Sequence, residues 1–238
     1  MSEILFKLHE KDLVSEMLLK LWDNGLIQVG IWETVYMTLI SAAVAYIIGL
    51  PLGLLLSVTD KDGIHPIRWL NAVVGVIVNA FRSVPFVILM LAVLPVARFT
   101  VGTTMGNKAV IVTLVIAAAP YIARMVESSI KEVDKGVIEA VQAMGTPSFT
   151  IVWKVLIPEA KPSLIIGAVI STVTILGYSA MAGTIGGTGL GQIAISYGYQ
   201  RYNNDIIWVC VVLTVIIVQV IQAIGMRVAH KTDKRVRQ

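Results

Sequence analysis

Two adjoining stretches decide the fold of this chain. The first, AVIVTLVIAAAPYIARMV (109–126), is an apolar run close to the roughly 20 residues that a helix needs to cross a bilayer. The second, ESSIKEVDKGVIEAVQAMGTPSFTIVWKVLIPEAKP (127–162), is a long polar loop that ends where another apolar run begins. Apolar runs joined by polar loops are typical of a helical membrane protein.

Five such apolar runs occur along the chain. They are Thr34–Val58, Trp69–Ala97, Ala109–Val126, Ser163–Ile185 and Ile206–Met226. Because backbone polar groups must be satisfied within lipid, each run is predicted to be a helix, and none alternates as a barrel strand would. Pro85 lies in the middle of the second run and predicts a kink or a break there. We therefore expect an all-α polytopic membrane protein with five crossings.

The composition excludes several other classes of protein. The 238 residues are 56% hydrophobic and 14% charged, whereas a soluble domain is about 45–50% apolar and about 25% charged. A soluble globule and a disordered chain are therefore excluded. The net charge of +4 is divided among short segments between apolar runs, which a lipid bilayer explains better than nucleic acid does.

The positive charges also predict which side of the membrane each loop occupies. With the N-terminus outside, segments 59–68, 124–162 and 227–238 are cytoplasmic and hold about twice as many lysines and arginines as the outer segments. Because lysine and arginine favour the cytoplasmic side, we expect the N-terminus outside, and the loop 127–162 and the basic tail 227–238 inside.

Residues 1–33 precede the first run and are too acidic for a signal peptide. Several apolar residues there fall on one helical face: Val14, Met17, Leu18, Leu21 and Trp22. We expect an extracytoplasmic helix that lies on the membrane or against the bundle, with a loosely ordered polar leader as the alternative.

The loop 127–162 is organised. Two short helices are predicted, at about Lys131–Met144 and about Ser148–Leu156, because Gly145 suits a helix end and Pro147 suits a helix start. Pro158 and Pro162 then predict a break before the fourth run. Four apolar residues lie near one face of the first helix: Val133, Val137, Val141 and Met144. This face needs a groove on this protein or on a partner, unless the loop is an interfacial hairpin without a partner.

The spacing within this loop resembles the EAA loop of ABC importer permeases, which reads E-A-A, three residues, G, nine residues, I, one residue, L-P. Glu139, Ala140, Gly145 and Pro158 match it, and apolar Val141, Val155 and Ile157 replace the other defined positions. The resemblance implies the type I ABC importer permease fold, with a cytoplasmic coupling helix that docks on a separate ATPase subunit. It assigns that docking to Glu139, Ala140, Gly145, Val155, Ile157 and Pro158.

A wider resemblance covers nearly the whole chain and points to the permease subunits of methionine-uptake ABC importers. The similar pieces are WETVYMTLIS (32–41), GLPLGLLL (49–56), NAFRSVPFVILM (79–90), APYIARMVE (119–127), GYSAMAGTIGGTGLGQIA (177–194) and YGYQRY (197–202). The domain of this family would cover residues 34–226. The family implies a second copy of the chain, two ABC ATPase subunits that bind ATP and Mg²⁺, an extracytoplasmic binding protein, and a bacterial cytoplasmic (inner) membrane.

We predict no enzymatic activity and no cofactor for this chain itself. Its Gly-rich stretch 183–192 lacks the Gly-Lys-Ser/Thr ending of a phosphate-binding loop and is interpreted as a flexible turn. None of the five runs contains an acidic residue, which argues against a proton-coupled carrier. An ion-coupled carrier or channel remains an alternative, as does a permease for another small amino acid or solute.

Arg82 is the one charge deep within a run and is therefore a functional residue by default. Either it contacts the substrate, or it satisfies carbonyl groups freed by Pro85, together with Asn79. The fourth run supplies the other pore or gate candidates, for which plain helix packing is the alternative. The complete set is Arg82, Tyr178, Ser179 and Met181.

Overall fold

The structure is a computed structural model that describes residue 19 and residues 21–232. Every regular element in that part of the chain is a helix. The helices are α1 Leu26–Thr59, α2 Arg68–Ser83, α3 Phe86–Val101, α4 Asn107–Lys131, α5 Lys135–Ala143, α6 Ser148–Ile151, α7 Ile157–Met181, α8 Leu190–Ile193 and α9 Asn204–Thr232. Three further helical turns follow α6, α7 and α8: π-helical Val152–Leu156, 3₁₀ Ala182–Ile185 and π-helical Ala194–Tyr199. The prediction of an all-α fold is confirmed.

The closest helix pair in the bundle is α1 with α4. Gly49 and Gly53, one turn apart on α1, face α4. A Cβ atom built on Gly49 would lie 2.9 Å from the carbonyl oxygen of Ala119, and one on Gly53 would overlap the carbonyl oxygen of Ala123. Small residues at this spacing allow helix backbones to approach closely within a membrane. This seam makes α4 the most buried of the long helices among the described residues.

Two polar contacts mark the ends of the bundle. At one end, the Lys131 Nζ lies 2.6 Å from an Asp60 carboxylate oxygen. At the other end, the Asn107 side-chain amide donates to the Glu33 carboxylate at 3.1 Å. Helices α1 and α4 both run from the Glu33 end to the Asp60 end, so the chain must return across the bundle between them.

Helices α2 and α3 make this return as one broken span. Their axes differ by 112°, and the break lies at Val84 and Pro85. The pair starts beside Asp60 and finishes beside Asn107, so it crosses from one end of the bundle to the other and is not a re-entrant hairpin. With α1, α4, α7 and α9, it gives the five predicted crossings, the second of them in two halves.

The predicted break at Pro158 and Pro162 is wrong. The chain stays helical from Ser148 into α7, and Pro162 lies inside that helix. The π-helical turn just before Pro158 closes with a hydrogen bond from the Ile157 N–H to the Val152 carbonyl. Such a turn is wider than an α-helical one, and it accommodates the proline ring that would otherwise clash with the preceding turn.

At the Glu33 end, the Gly-rich stretch is tied to the bundle. The Thr188 N–H and hydroxyl both donate to the Asn107 side-chain oxygen, at 2.9 and 2.6 Å. The Leu190 N–H donates to the Thr34 hydroxyl at 2.9 Å. The interpretation as a flexible turn is therefore wrong, because these bonds hold the stretch against both α1 and α4.

The two chain ends lie partly outside the described residues. Of the predicted N-terminal helical face, Val14, Met17 and Leu18 lie outside them. Leu21 is buried against Ile27 and neighbouring apolar residues, so this point of the segment packs on the bundle. Of the predicted tail, residues 227–232 continue α9, and residues 233–238 lie outside the described residues.

Candidate functional site

The EAA loop (127–162) begins one turn before the end of α4. The predicted helix over Lys131–Met144 is two pieces, because Lys131 is the last residue of α4 and α5 begins only at Lys135. Asp134 sets this start, since its carboxylate accepts a hydrogen bond from the Gly136 N–H at 2.6 Å. Val133, between the two helices, is buried in the core and anchors the loop to the bundle.

Helix α5 ends in a Schellman motif at Gly145. The Thr146 N–H donates to the Val141 carbonyl at 3.4 Å, and the Gly145 N–H donates to the Gln142 carbonyl at 2.9 Å. Gly145 has a φ of +74°, a left-handed conformation that costs other residues about 1–2 kcal/mol. No atom lies within 4 Å of a Cβ built there, so the position requires glycine for its backbone conformation and not for space.

Exposure divides the six predicted ATPase-coupling residues into two groups. Four of them are exposed: Glu139, Ala140, Gly145 and Pro158. The other two, Val155 and Ile157, are partly buried and pack against the core. Only the first group offers side chains or backbone to another protein, and the second group holds the loop in place.

Exposed apolar side chains lie on the same loop as the exposed group. Of the four residues predicted to share a face, Val133 is buried and Val141 packs inward, while Val137 and Met144 are exposed. That single predicted face is therefore wrong. Phe149 and Trp153 are also exposed, with ring centroids 6.2 Å apart. An exposed apolar patch of this kind is typical of a protein interaction surface.

Glu139 lines a cavity of about 430 Å³ between α5 and the connection from α1 to α2. Asp60, Lys131 and Lys135 also lie on its wall. No described residue forms a hydrogen bond or an ion pair with the Glu139 carboxylate. This exposed carboxylate is therefore available to a partner.

An ion-pair network that we did not predict lies beside this cavity. It comprises Asp60, Asn79, Arg124, Glu127 and Lys131, and is called the Arg124 network below. The buried Glu127 carboxylate accepts from Arg124 at 2.6 Å and from Lys131 at 2.8 Å. The Lys131 ammonium also holds the pKa of the Asp60 carboxyl below its ordinary value, mainly through their hydrogen bond. The spacing of the charges along α4, three and four residues apart, could have indicated the pairs on that helix.

Arg124 also joins α4 to α2. Its guanidinium donates to the Asn79 side-chain oxygen at 2.9 Å and to the Gly75 carbonyl at 3.3 Å. Asn79 is therefore occupied by Arg124 and is not a partner of Arg82, contrary to one of our sequence predictions. The network connects the ends of α1 and α4 to the broken span one turn before its break.

Arg82 lies at the break itself and lines a second cavity, of about 140 Å³. This Arg82 cavity is lined by Phe81, Arg82, Val84, Phe86, Leu89, Ala117, Tyr121 and Tyr178. Ala117 and Tyr121 lie near the middle of α4, so the cavity is at half the depth of the bundle. No described residue accepts a hydrogen bond from Arg82, so it does not satisfy the carbonyl groups that Pro85 leaves free.

The other pore candidates are not all in this cavity. Tyr178 is, and its ring stacks on Phe86 with centroids 4.5 Å apart and planes 4° apart. Ser179 is buried, and its hydroxyl donates to the Leu176 carbonyl of its own helix at 2.7 Å. Met181 is exposed and does not line the cavity. Arg82 and Tyr178 are therefore the two candidates that the fold brings together.

A model of the family described as "Binding-protein-dependent transport system inner membrane component" matches residues 49–238. The chain is 45% identical over 213 residues to a probable D-methionine transport system permease protein of Vibrio cholerae, covering 90% of this chain and 95% of that protein. It is also 45% identical over 181 residues to the methionine import system permease protein of Bacillus subtilis, covering 76% and 82% of the two chains.

Solved structures show the same likeness. A chain in a structure described as inward-facing conformations of the MetNI methionine ABC transporter has a TM-score of 0.86 and 46% sequence identity. The match covers 88% of this chain and 97% of that one. A chain of an amino acid ABC transporter has a TM-score of 0.74 at 18% sequence identity, so it shares the fold, and the comparison shows nothing beyond the fold.

Proposed function

The chain belongs to the family of binding-protein-dependent transport system inner membrane components, and on that premise we propose that it is the permease subunit of an ATP-driven methionine importer. The observation that carries this proposal is a likeness to methionine permeases that extends over nearly the whole chain. The chain would supply the path through the membrane and no covalent chemistry.

We propose that a separate ATPase subunit docks on the EAA loop. The exposed Glu139 carboxylate has no partner among the described residues, and exposed Met144, Phe149 and Trp153 lie on the same loop. The loop thus offers a free carboxylate and exposed apolar side chains to a cleft on a partner. ATP and Mg²⁺ would bind that partner.

Two copies of the chain would form the pore. Each copy has one EAA loop, so a pair would engage two ATPase subunits. ATP binding would bring these subunits together and move both loops, which turns the pore outward, and hydrolysis would return it inward. This is a population shift between two states of one bundle.

The orientation follows from the charges. We propose that the Asp60 end, which carries most of the lysines and arginines, faces the cytoplasm of a bacterial cell. The Glu33 end would face outward and receive an extracytoplasmic binding protein. Tyr199 and Tyr202 are exposed at that end, and Arg201 lies 4.7 Å from the centre of the Tyr197 ring, so this turn offers aromatic and cationic contacts.

Uptake of labelled methionine in proteoliposomes tests the whole proposal. The vesicles would hold this chain with its ATPase, and the binding protein would be added outside. We expect uptake that requires ATP and is competed by D-methionine but not by other amino acids. ATP hydrolysis without methionine uptake would indicate a permease for another solute. Methionine uptake without an ATPase would indicate a carrier.

A charge reversal at Glu139 tests the docking surface. Glu139→Lys should abolish the stimulation of ATPase activity by the permease, because the only carboxylate on α5 would become a cation. Asp62→Lys is the control, since Asp62 is exposed in the connection from α1 to α2, lies outside α5 and has no partner among the described residues. Equal stimulation by both variants and the wild type would contradict the docking role.

A further inference from the structure

The Arg82 cavity contains a charge without a counter-charge. Arg82 lines it at half the depth of the bundle and is exposed, and no described residue pairs with its guanidinium. An arginine at this depth is costly unless it faces an anion or a water-filled path. The other arginine of the central bundle, Arg124, meets this requirement with Glu127 and Asn79.

The predicted spans of the proposed transporter supply no carboxylate for the missing anion. None of the five predicted spans contains Asp or Glu, so a second copy of this chain brings no acid to this depth. An ATPase and a binding protein would contact the permease only outside the membrane. Because Arg82 is exposed, it faces either a water-filled path or an anion that a molecule entering the cavity brings.

The rest of the cavity is aromatic and apolar. Phe86 and Tyr178 form a stacked pair, and Tyr121 and Phe81 complete the aromatic lining. A volume of about 140 Å³ is several times the roughly 30 Å³ of one water, which suits the side chain of an amino acid rather than a peptide. Aromatic rings form favourable contacts with thioether sulfur and with an ammonium group.

We propose that the Arg82 cavity is a transient substrate subsite inside the permease. The Arg82 guanidinium binds the carboxylate of the amino acid, and the rings of Phe86, Tyr121 and Tyr178 contact its thioether side chain. This inference rests on the proposed function, since it takes methionine as the solute. In this proposal the permease recognises the substrate carboxylate again, after the binding protein has released the substrate.

Direct binding measurements test the subsite. Labelled L-methionine would be bound to the purified permease–ATPase complex without the binding protein, and competed by methioninol, which lacks the carboxylate. We expect methioninol to compete at least about tenfold more weakly, because a hydrogen bond to a charged group contributes that much affinity. Arg82→Gln should weaken methionine binding by a similar factor and leave methioninol unaffected, so that the two ligands bind equally.

Two further variants keep the result interpretable. Arg82→Lys retains the charge and should restore most of the preference for methionine over methioninol. Arg98→Gln removes an exposed arginine at the far end of α3, outside the cavity, and should bind both ligands as the wild type does. If the wild-type complex imports methionine with ATP but shows no binding, or if Arg82→Gln binds both ligands as the wild type does, the subsite is wrong and the proposed function stands. If the wild type imports no methionine, the proposed function fails first.

Discussion

Two arginines of this bundle, Arg124 and Arg82, have opposite surroundings. Arg124 donates to Glu127, Asn79 and the Gly75 carbonyl, and sits beside the close seam of α1 and α4. Arg82 lines a small aromatic cavity at a break in the helix and has no described partner. The first arrangement joins α4 to α2, and the second leaves Arg82 without a partner among the described residues.

The difference separates a structural charge from one that we propose to be functional. A buried ion pair holds its partners because removing one of them leaves an uncompensated charge. An unpaired arginine contributes nothing of this kind to folding, so its presence within a span needs another reason. Variants at Arg124 should therefore lower stability more than transport, and variants at Arg82 should lower transport more than stability.

Removal of the Glu127 carboxylate should have the largest effect on stability. Glu127→Ala leaves Arg124 and Lys131 without the acceptor they share. Loss of one partner from a fully buried pair costs about 3–5 kcal/mol, and partial exposure of the two cations reduces this to about 2–3 kcal/mol. The melting temperature of the purified protein in detergent measures the loss, at roughly 2–4 °C per kcal/mol for a chain of this size.

Asp62→Ala is the control for that variant. Asp62 is an exposed acid in the nearby connection from α1 to α2, and no described residue pairs with it. Its removal should change stability by no more than about 0.5 kcal/mol. If the Glu127→Ala and Asp62→Ala proteins have the same melting temperature, the Arg124 network does not hold the helices together.

Substitution of each of the two arginines, Arg124 and Arg82, by leucine tests the comparison most directly. Arg124→Leu should destabilise the protein by about 2 kcal/mol, because it removes hydrogen bonds from a charged group while Lys131 still neutralises Glu127. Arg82→Leu should leave the melting temperature unchanged or raise it, since no bond is lost, but should reduce methionine uptake strongly. Equal losses of stability in the two variants would contradict the distinction between them.

The sequence predicts the spans better than it predicts these charges. Mean hydropathy falls after Val126, yet α4 continues to Lys131, because Glu127 and Lys131 are paired one turn apart and satisfy each other. The start of α5 was misplaced because Asp134 caps the helix, a local bond that competes with the apolar pattern. Gly145 was correctly predicted as a helix end, because its conformation is a local property of the chain.

The partners of the two arginines could not be predicted in the same way. Asn79 lies three residues from Arg82 in sequence but bonds to Arg124, which is 45 residues away. That choice depends on which face of α2 meets α4, and the 112° break at Pro85 determines the path of the chain there. Proline indicates that a helix is disturbed, but neither the angle of the break nor its neighbours.

The aromatic wall of the Arg82 cavity gives a smaller and more selective effect. Tyr178→Leu removes the ring stacked on Phe86 and should cost about 1 kcal/mol, the usual contribution of an aromatic pair. Tyr178→Phe keeps the stack, and because no described residue bonds to the hydroxyl, its melting temperature should match that of the wild type. Methionine affinity of the complex should fall in the leucine variant and persist in the phenylalanine variant. Similar losses in both would show that the hydroxyl, and not the ring, matters.

The smallest expected effect is the pH dependence of the Asp60–Lys131 pair at the edge of the Arg124 network. The pKa of Asp60 is lowered in the folded protein, so the pair stabilises the fold fully above about pH 4, the pKa of an unfolded aspartate, and loses this contribution as the pH falls through the lower folded value. Both side chains are partly exposed, which limits the contribution to at most about 1 kcal/mol. Melting temperatures of the wild type and Asp60→Asn should therefore differ slightly at pH 7 and converge below about pH 4. A difference that persists under acid would mean that Asp60 stabilises the fold through packing and not through its charge. In that case Glu127 would be the one carboxylate of the network that holds Lys131.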